Sequence, residues 1–267
     1  MVSGAIPKLI AVTGGKGGVG KSHVALNFSL ALVELGQKVC LIDADLGLAN
    51  LDLLLGVKPL FHLGHVFSGQ KTVEEILLEG PKGLCWIPGS SGFKQLARLP
   101  EEDLQFLIQQ AEKLTHRFDL VVFDTAAGIS PDVLMLLHAS QKIIVVLTPE
   151  PTSITDSYAL IKTLKIENTE SNLCLLLNQC RHEDEGRKVA LRVQRICAHF
   201  LGMTPELLGI LTQDDKVQLA TRKQKAFLEL YPDSTVSKQI RSIAQRWKQK
   251  NGKPMDPFFD NLKNFVS

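Results

Sequence analysis

Residues 9–36 leave this chain few folds to choose from. An apolar run, Leu9-Ile10-Ala11-Val12-Thr13, passes directly into Gly14-Gly15-Lys16-Gly17-Gly18-Val19-Gly20-Lys21-Ser22. Val24-Ala25-Leu26-Asn27-Phe28 follows and leads through Leu35 to Gly36. The first run reads as a buried strand and the last as a helix stopped by glycine. A strand turning through glycines into a helix is the setting of a phosphate-binding loop. Gly15, Gly20, Lys21 and Ser22 hold the fixed positions of G-x-x-x-x-G-K-[ST]. Glycines let backbone N–H groups turn inward around a polyphosphate without Cβ clashes. The helix that follows aims its positive end at the same anion. Lys21 is expected to reach the β- and γ-phosphates, and the Ser22 hydroxyl to ligate Mg²⁺. Lys16 is a second lysine inside the loop. Lys21 already serves the phosphates within one subunit, so a lysine at position 16 can serve another.

Strands alternate with helices along the 267 residues, which favours one α/β domain over two small ones. A composition of 45% hydrophobic and 22% charged residues is that of an ordinary globular chain. A formal net charge of +2 gives no strong field for nucleic acid over the whole surface. No apolar run is long enough to span a bilayer, and no secretory signal precedes the first strand, so a cytoplasmic protein is expected. The five cysteines (Cys40, Cys85, Cys174, Cys180, Cys197) form no C-x-x-C and read as reduced thiols, with Cys40 and Cys174 in core strands. His62 and His65 form an H-x-x-H in a predicted loop, without convincing metal spacing.

Further along, Lys38-Val39-Cys40-Leu41-Ile42 is a second predicted strand, ending at Asp43-Ala44-Asp45. Carboxylates past the C-terminal end of a parallel strand face the ligand crevice. Asp43 can join the Mg²⁺ shell, and Asp45 can orient an attacking water. The apolar residues of the 50s and early 60s are expected mostly in the core. A helix is expected from Pro100 to His116. Asp119-Leu120-Val121-Val122-Phe123-Asp124 is then a strand closed by an aspartate, the second Mg²⁺ element of phosphate-loop proteins. No glutamate follows Asp124, which leaves Asp45 as the candidate for positioning water. Thr125-Ala126-Ala127-Gly128 is a small-residue loop able to approach the γ-phosphate and change shape when it leaves.

Strands are predicted at 142–147, 173–178 and 206–211, with helices near 153–164, 183–199, 215–230 and 234–250. Asn178, at a strand end, can pair with a purine edge. In N-K-x-D proteins an aspartate three residues on accepts from the guanine amino group. Arg181 stands there in this chain, so adenine is expected. Thr212, Gln213 and Asp214 follow the last strand and can frame the base. Residues 1–250 are taken as the nucleotide-binding domain and 251–267 as a linker with a short amphipathic helix. On that helix Phe258, Phe259, Leu262, Phe265 and Val266 share one face. Such a face suits either a reversible membrane anchor or docking on the domain's own surface.

Taken together, Lys16 to Ser22 resemble the deviant Walker A loop of the ParA/MinD ATPases. Asp43-Ala44-Asp45-Leu46-Gly47-Leu48-Ala49-Asn50 through Gly56 look like the MinD branch. Asp124 to Ser130, Glu150 to Asp156 and Pro88-Gly89-Ser90-Ser91-Gly92 resemble FlhG, also called FleN, the MinD-like regulators of flagellar number. The resemblance runs from about Lys8 to Pro232. It implies a single P-loop α/β domain of the SIMIBI type, MinD-like, with a mainly parallel twisted sheet flanked by helices. It implies ATP and Mg²⁺ as cofactors. Gly15, Lys16, Gly17, Gly18, Val19, Gly20, Lys21, Ser22 and His23 would hold phosphate, and Asn178 would read adenine, with Arg181, Thr212, Gln213 and Asp214 nearby. Ser22, Asp43 and Asp124 would hold the metal. Lys16, Lys21 and Asp45 would act in hydrolysis. The resemblance also implies an ATP-dependent homodimer in which Lys16, Glu150 and Pro151 contact the partner. Paired C-terminal helices would then hold the inner face of the cytoplasmic membrane.

Flagellar assembly proteins or a FleQ-type regulator are the partners implied, with no direct nucleic-acid contact. Division-site placement of the MinD type and chromosome partition of the ParA type are the alternatives. Ser22 replaces the commoner threonine, His23 the usual Asn or Thr, and Thr212 the usual proline. The D-Q-A-x-x-L-R motif that FlhG proteins often carry for the GTPase FlhF is not in this sequence. The resemblance therefore does not carry stimulation of FlhF with it.

Overall fold

The computed structural model describes residues 8–89, 101–167 and 172–251. The C-terminal face of Phe258, Phe259, Leu262, Phe265 and Val266 lies outside these, as do Ser90, Ser91 and Gly92.

Eight strands form one sheet: β1 (Lys8–Thr13), β2 (Val39–Ala44), β3 (Leu78–Glu79), β4 (Cys85–Ile87), β5 (Leu120–Thr125), β6 (Lys142–Leu147), β7 (Asn172–Cys180) and β8 (Glu206–Thr212). Their order is β3-β4-β2-β5-β1-β6-β7-β8, parallel except for the short antiparallel β3. Covered faces explain why β1, β2, β5 and β6 read as unbroken apolar runs. In β1, Leu9 and Ala11 enter one core, and Ile10 and Val12 the other.

The first core lies under α3 (Leu63–Phe67), α4 (Val73–Ile76), α5 (Glu101–Leu114), α6 (Pro131–Ala139), α7 (Pro151–Ile166) and α8 (Glu183–Leu201). The second lies under α1 (Lys21–Glu34), α2 (Leu51–Leu55), α9 (Asp215–Arg222), α10 (Phe227–Leu230) and α11 (Thr235–Asn251). Burying a large apolar side chain is worth about 1.5–3 kcal/mol, so fully buried Trp86, Phe28 and Phe123 are strong anchors of these layers.

α11 is fastened to α1 at several points. The Phe28 and Trp247 rings meet edge to face, 5.5 Å apart. Arg241 grips Glu34 with Nε at 2.7 Å and Nη2 at 3.1 Å. α11 also guards the outer edge of β8. Gln239 accepts from the Thr212 N–H at 2.9 Å, and Arg246 donates to the Leu208 carbonyl at 3.3 Å.

Three expectations need correction. The single helix predicted over 215–230 is two, α9 and α10. The chain breaks at Gln224, whose φ is +51°, and the Lys225 N–H caps back onto the Ala220 carbonyl. His62 and His65 do not lie in a loop: they cap α3. His62 accepts from the Gly64 N–H at 3.1 Å, and His65 accepts from the His62 N–H at 3.3 Å. The apolar 50s and 60s divide: Leu51, Leu54, Leu63 and Val66 are buried, whereas Leu53 and Leu60 are 55% and 86% exposed.

Candidate functional site

The C-terminal ends of β1, β2 and β5 converge beside the glycine loop. Asp43 of β2 and Asp124 of β5 are register partners on adjacent strands, and Val12 of β1 pairs with Asp124 on the other side. The loop after β5 folds back, so that the Gly128 N–H donates to the Gly14 carbonyl at 2.9 Å. The crevice is therefore built from three strand ends and two small-residue loops.

Two positions of the loop leave little room for a larger residue. A Cβ on Gly15 would stand 2.2 Å from the Asp156 backbone, and one on Gly20 would stand 2.4 Å from Asn178 Nδ2. Gly18 and Gly20 adopt φ of +80° and +89°, conformations that favour glycine. On the open side, a Cβ at Gly17 or Gly18 would meet nothing within 4 Å. That is the space a polyphosphate cradle leaves. Gly20 caps α1, and Lys21 at the start of the helix is buried against the crevice.

The carboxylates divide by their partners. Asp43, almost wholly buried, accepts from the Asn50 and Leu51 N–H groups at 3.0 Å each, and from Asp45 N–H at 3.3 Å. Burial first, and then the neighbouring Asp124, push its carboxyl well above the usual range. Asp124 has both carboxylate oxygens buried, with no well-formed hydrogen bond to either among the described residues, and the Ser22 hydroxyl stands close by. Burial raises its pKa from 3.8 to about 7, against the opposing pull of nearby Ser22 and Lys21. Asp45 is half-buried and accepts from Leu48 N–H at 3.2 Å. Burial raises its pKa too, while Lys21 pulls it down.

A buried carboxylate without partners is costly unless a cation completes it. Two adjacent aspartates beside a hydroxyl form the hard oxygen set that Mg²⁺ takes, with water and phosphate oxygens filling its shell. The donors present thus fit Mg²⁺: Asp124, Asp43 and Ser22 would hold it.

A cleft of about 300 Å³ opens on the other side of Gly20, lined in part by His23, Asn178, Thr212, Gln213, Asp214 and Phe227. It brings together most of the residues expected at the base. Several are already occupied. Asn178 Nδ2 donates to the Val19 carbonyl at 2.9 Å. Thr212 donates to Gln239 through its N–H and hydroxyl. Asp214 caps α9 by accepting from Lys216 N–H at 2.9 Å, and it also accepts from Val236 N–H at 3.3 Å. His23, its pKa lowered by burial, meets the Thr221 hydroxyl at 3.2 Å. Arg181 is not among the lining residues of this cleft. It borders a neighbouring depression with His182 and Lys216.

Lys16 turns away from its own crevice. Its Nζ lies 3.0 Å from Glu150 Oε2 and 3.0 Å from Thr152 Oγ1. The sequence places Lys16, Glu150 and Pro151 against a partner subunit and gives Thr152 no role. Nor does it give one to Gln179, whose Nε2 donates to the Gly18 carbonyl at 3.2 Å. The polar pair Asn178-Gln179 at the end of an apolar strand was the available signal.

A family described as an AAA domain matches residues 7–176. Antiactivator FleN of Pseudomonas aeruginosa is 39% identical over 239 residues, covering 90% of this chain and 85% of the relative. Flagellum site-determining protein YlxH of Helicobacter pylori is 34% identical, covering 89% of this chain and 80% of the relative. The solved structure of the septum site-determining protein MinD complexed with Mg-ADP, from Pyrococcus horikoshii, superposes with a TM-score of 0.79. It has 24% identity over 92% of this chain and 98% of that one, a likeness of fold. With the phosphate loop, the paired aspartates and this sheet order in place, the chain belongs to the ParA/MinD family of Mg²⁺- and ATP-dependent ATPases, with FleN among its relatives.

Proposed function

We propose that this chain is an ATP-driven dimerisation switch with slow hydrolysis that regulates flagellar number or placement. The observation that carries the nucleotide-driven part of this reading is the crevice: Lys21, Ser22, Asp43, Asp45 and Asp124 gather around an open glycine cradle, and Asp124 is buried with only Ser22 and Lys21 to offset its charge. The flagellar role is supported by the similarity to FleN and YlxH.

In this reading the loop N–H groups and Lys21 hold the phosphates. Asp43 and Asp124 orient the donor oxygens, and Mg²⁺, when bound, offsets charge on the phosphates. Asp45, tethered to Leu48 N–H, positions the attacking water. Lys16 leaves Glu150 and Thr152 and reaches the partner's phosphates. Releasing it costs little: both ends of the pair are exposed, at 40% and 64%, and exposed ion pairs are worth about 0–1 kcal/mol. A ligand that binds the dimer in preference shifts the equilibrium toward it. The phenylalanine-bearing face beyond Pro257 provides a weak membrane contact that pairing strengthens.

The experiment is sedimentation velocity with and without Mg-ATP. Asp45→Ala is expected to remain a dimer in ATP, and Lys16→Ala to stay monomeric while binding ATP. A Lys16→Ala protein that dimerises with ATP like the wild type refutes the crossing role. Deleting residues 257–267 is expected to abolish ATP-dependent liposome flotation; unchanged flotation refutes the membrane role.

A further inference from the structure

We propose that Gln179 is a positioning residue for phosphate binding. It acts through the Gly18 carbonyl and, with Asn178, fixes the direction of two successive loop N–H groups. The proposal rests on the nucleotide reading above and assigns a residue that reading does not use.

Two consecutive side-chain amides at the end of β7 take two consecutive carbonyls of the loop. Gln179 Nε2 donates to Gly18 O at 3.2 Å, and Asn178 Nδ2 donates to Val19 O at 2.9 Å. In a planar trans peptide the carbonyl and the N–H of the same unit point in opposite directions. Holding the Gly18 carbonyl therefore aims the Val19 N–H the other way, and holding the Val19 carbonyl does the same for the Gly20 N–H. Glycines alone would leave those units free to rotate, since φ is soft where no Cβ restrains it. The amides supply the missing restraint.

The backbone at Gln179 carries the mark of this task. Its φ is +58°, in the left-handed region that disfavours residues with a Cβ. Such strain persists where surrounding contacts over-determine it. β7 runs on to Cys180, whose carbonyl accepts from the Gln213 N–H at 2.8 Å, so the strand end is held on both sides of the kink. Gln179 is exposed, so its role is not one of packing. Asn178 presses on Gly20, where a Cβ would stand 2.4 Å from Nδ2, so the two amides form one brace.

The test compares full-length wild type, Gln179→Gly, Gln179→Glu and Gln179→Lys. Each is titrated calorimetrically with Mg-ATP, inorganic tripolyphosphate and adenosine. Glycine relieves the backbone and removes the donor. Glutamate keeps the shape, removes the donor and adds a negative charge, so its effect is read only beside that of the neutral glycine variant. Lysine returns a donor without the amide. One hydrogen bond of ordinary net strength corresponds to roughly 3- to 10-fold in Kd. Gln179→Gly and Gln179→Glu are expected to weaken ATP and tripolyphosphate by that factor, with adenosine unchanged. Gln179→Lys is expected to bind tripolyphosphate at least as tightly as wild type, since it returns a donor and adds a positive charge; weakening like that of the glycine variant counts against the donor's role.

A glycine variant that binds tripolyphosphate like wild type overturns the proposal. If ATP and adenosine weaken while tripolyphosphate does not, Gln179 reads the base and the brace is refuted. Wild-type protein that binds neither ATP nor tripolyphosphate overturns the nucleotide reading itself, and this proposal with it.

Discussion

Replacing Asp214 separates its use as a brace from its expected place at the base. Its two oxygens serve two helices: one accepts from Lys216 N–H at 2.9 Å, within the first turn of α9, and the other accepts from Val236 N–H at 3.3 Å, at the start of α11. Removing a capping side chain costs about 0.5–2 kcal/mol. The longer second bond adds roughly 0.5–1.5 kcal/mol, and both helix N-termini lose a nearby negative charge. Asp214→Ala is therefore expected to cost about 2 kcal/mol. Asp214→Asn, which keeps one acceptor, is expected to lose about half of that. For a chain of this size, 1 kcal/mol moves Tm by about 2–4 °C, so the alanine variant should melt roughly 4–8 °C lower. Urea unfolding followed by circular dichroism checks the free energy, and an unchanged m-value confirms that the same cooperative unit unfolds. An alanine variant within about 0.5 kcal/mol of wild type, below even the smaller cap cost, refutes the double-cap account.

Other predictions follow from the same geometry. Asp124→Asn removes a buried charge that nearby Ser22 and Lys21 only partly offset. Burial raises the native pKa of Asp124 from 3.8 to about 7, so keeping it ionised at neutral pH destabilises the Mg²⁺-free fold. The asparagine variant should thus melt higher than wild type in EDTA yet release no phosphate from ATP; an unchanged melting point counts against the buried-charge account. Glu34 is held below its ordinary pKa, chiefly by its hydrogen bond from Arg241. Its contribution is present above the unfolded carboxylate pKa and is lost as pH falls through the lower folded value. Glu34→Gln should therefore flatten the acid limb of the stability curve, seen as a smaller gap from wild type below pH ~4 than at pH ~7. Gly15→Ala places a Cβ 2.2 Å from the Asp156 backbone. It should abolish ATP binding by calorimetry or prevent folding by circular dichroism, and wild-type behaviour in both refutes the close approach.

The strand cores and the glycine loop were legible because each obeys a local rule: apolar runs for doubly covered strands, and glycine where the backbone must turn. Lys142–Leu147 emerges with the predicted bounds. Asp43 and Asp124 were legible as strand-end acids, although their pairing required the sheet order, which no local pattern contains. What the sequence hid was set by distant partners. α6 is the exception, since it begins at Ser130-Pro131, an ordinary helix start that a local reading can find. The turn at Gln224 lies against Gly56, far earlier in the chain, where a Cβ would meet the Gln224 carbonyl at 3.0 Å. Asn178 was read for its chemistry toward a purine, whereas its Nδ2 is spent on Val19 across 159 positions of sequence. A residue's type limits what it can bond; only the fold says what lies within reach.

The guarded rim of β8 bears on how copies of this chain can assemble. A bare strand edge is a template that adds strand to strand without limit. Here Gln239 holds the Thr212 N–H and Arg246 holds the Leu208 carbonyl, so two of the groups such growth would use are already engaged. At the opposite rim β3 is only two residues long, too short to seed a continued ribbon. Neither rim of the sheet therefore offers a long bare edge for strand-to-strand growth, which leaves other surfaces of the fold for any contact between copies.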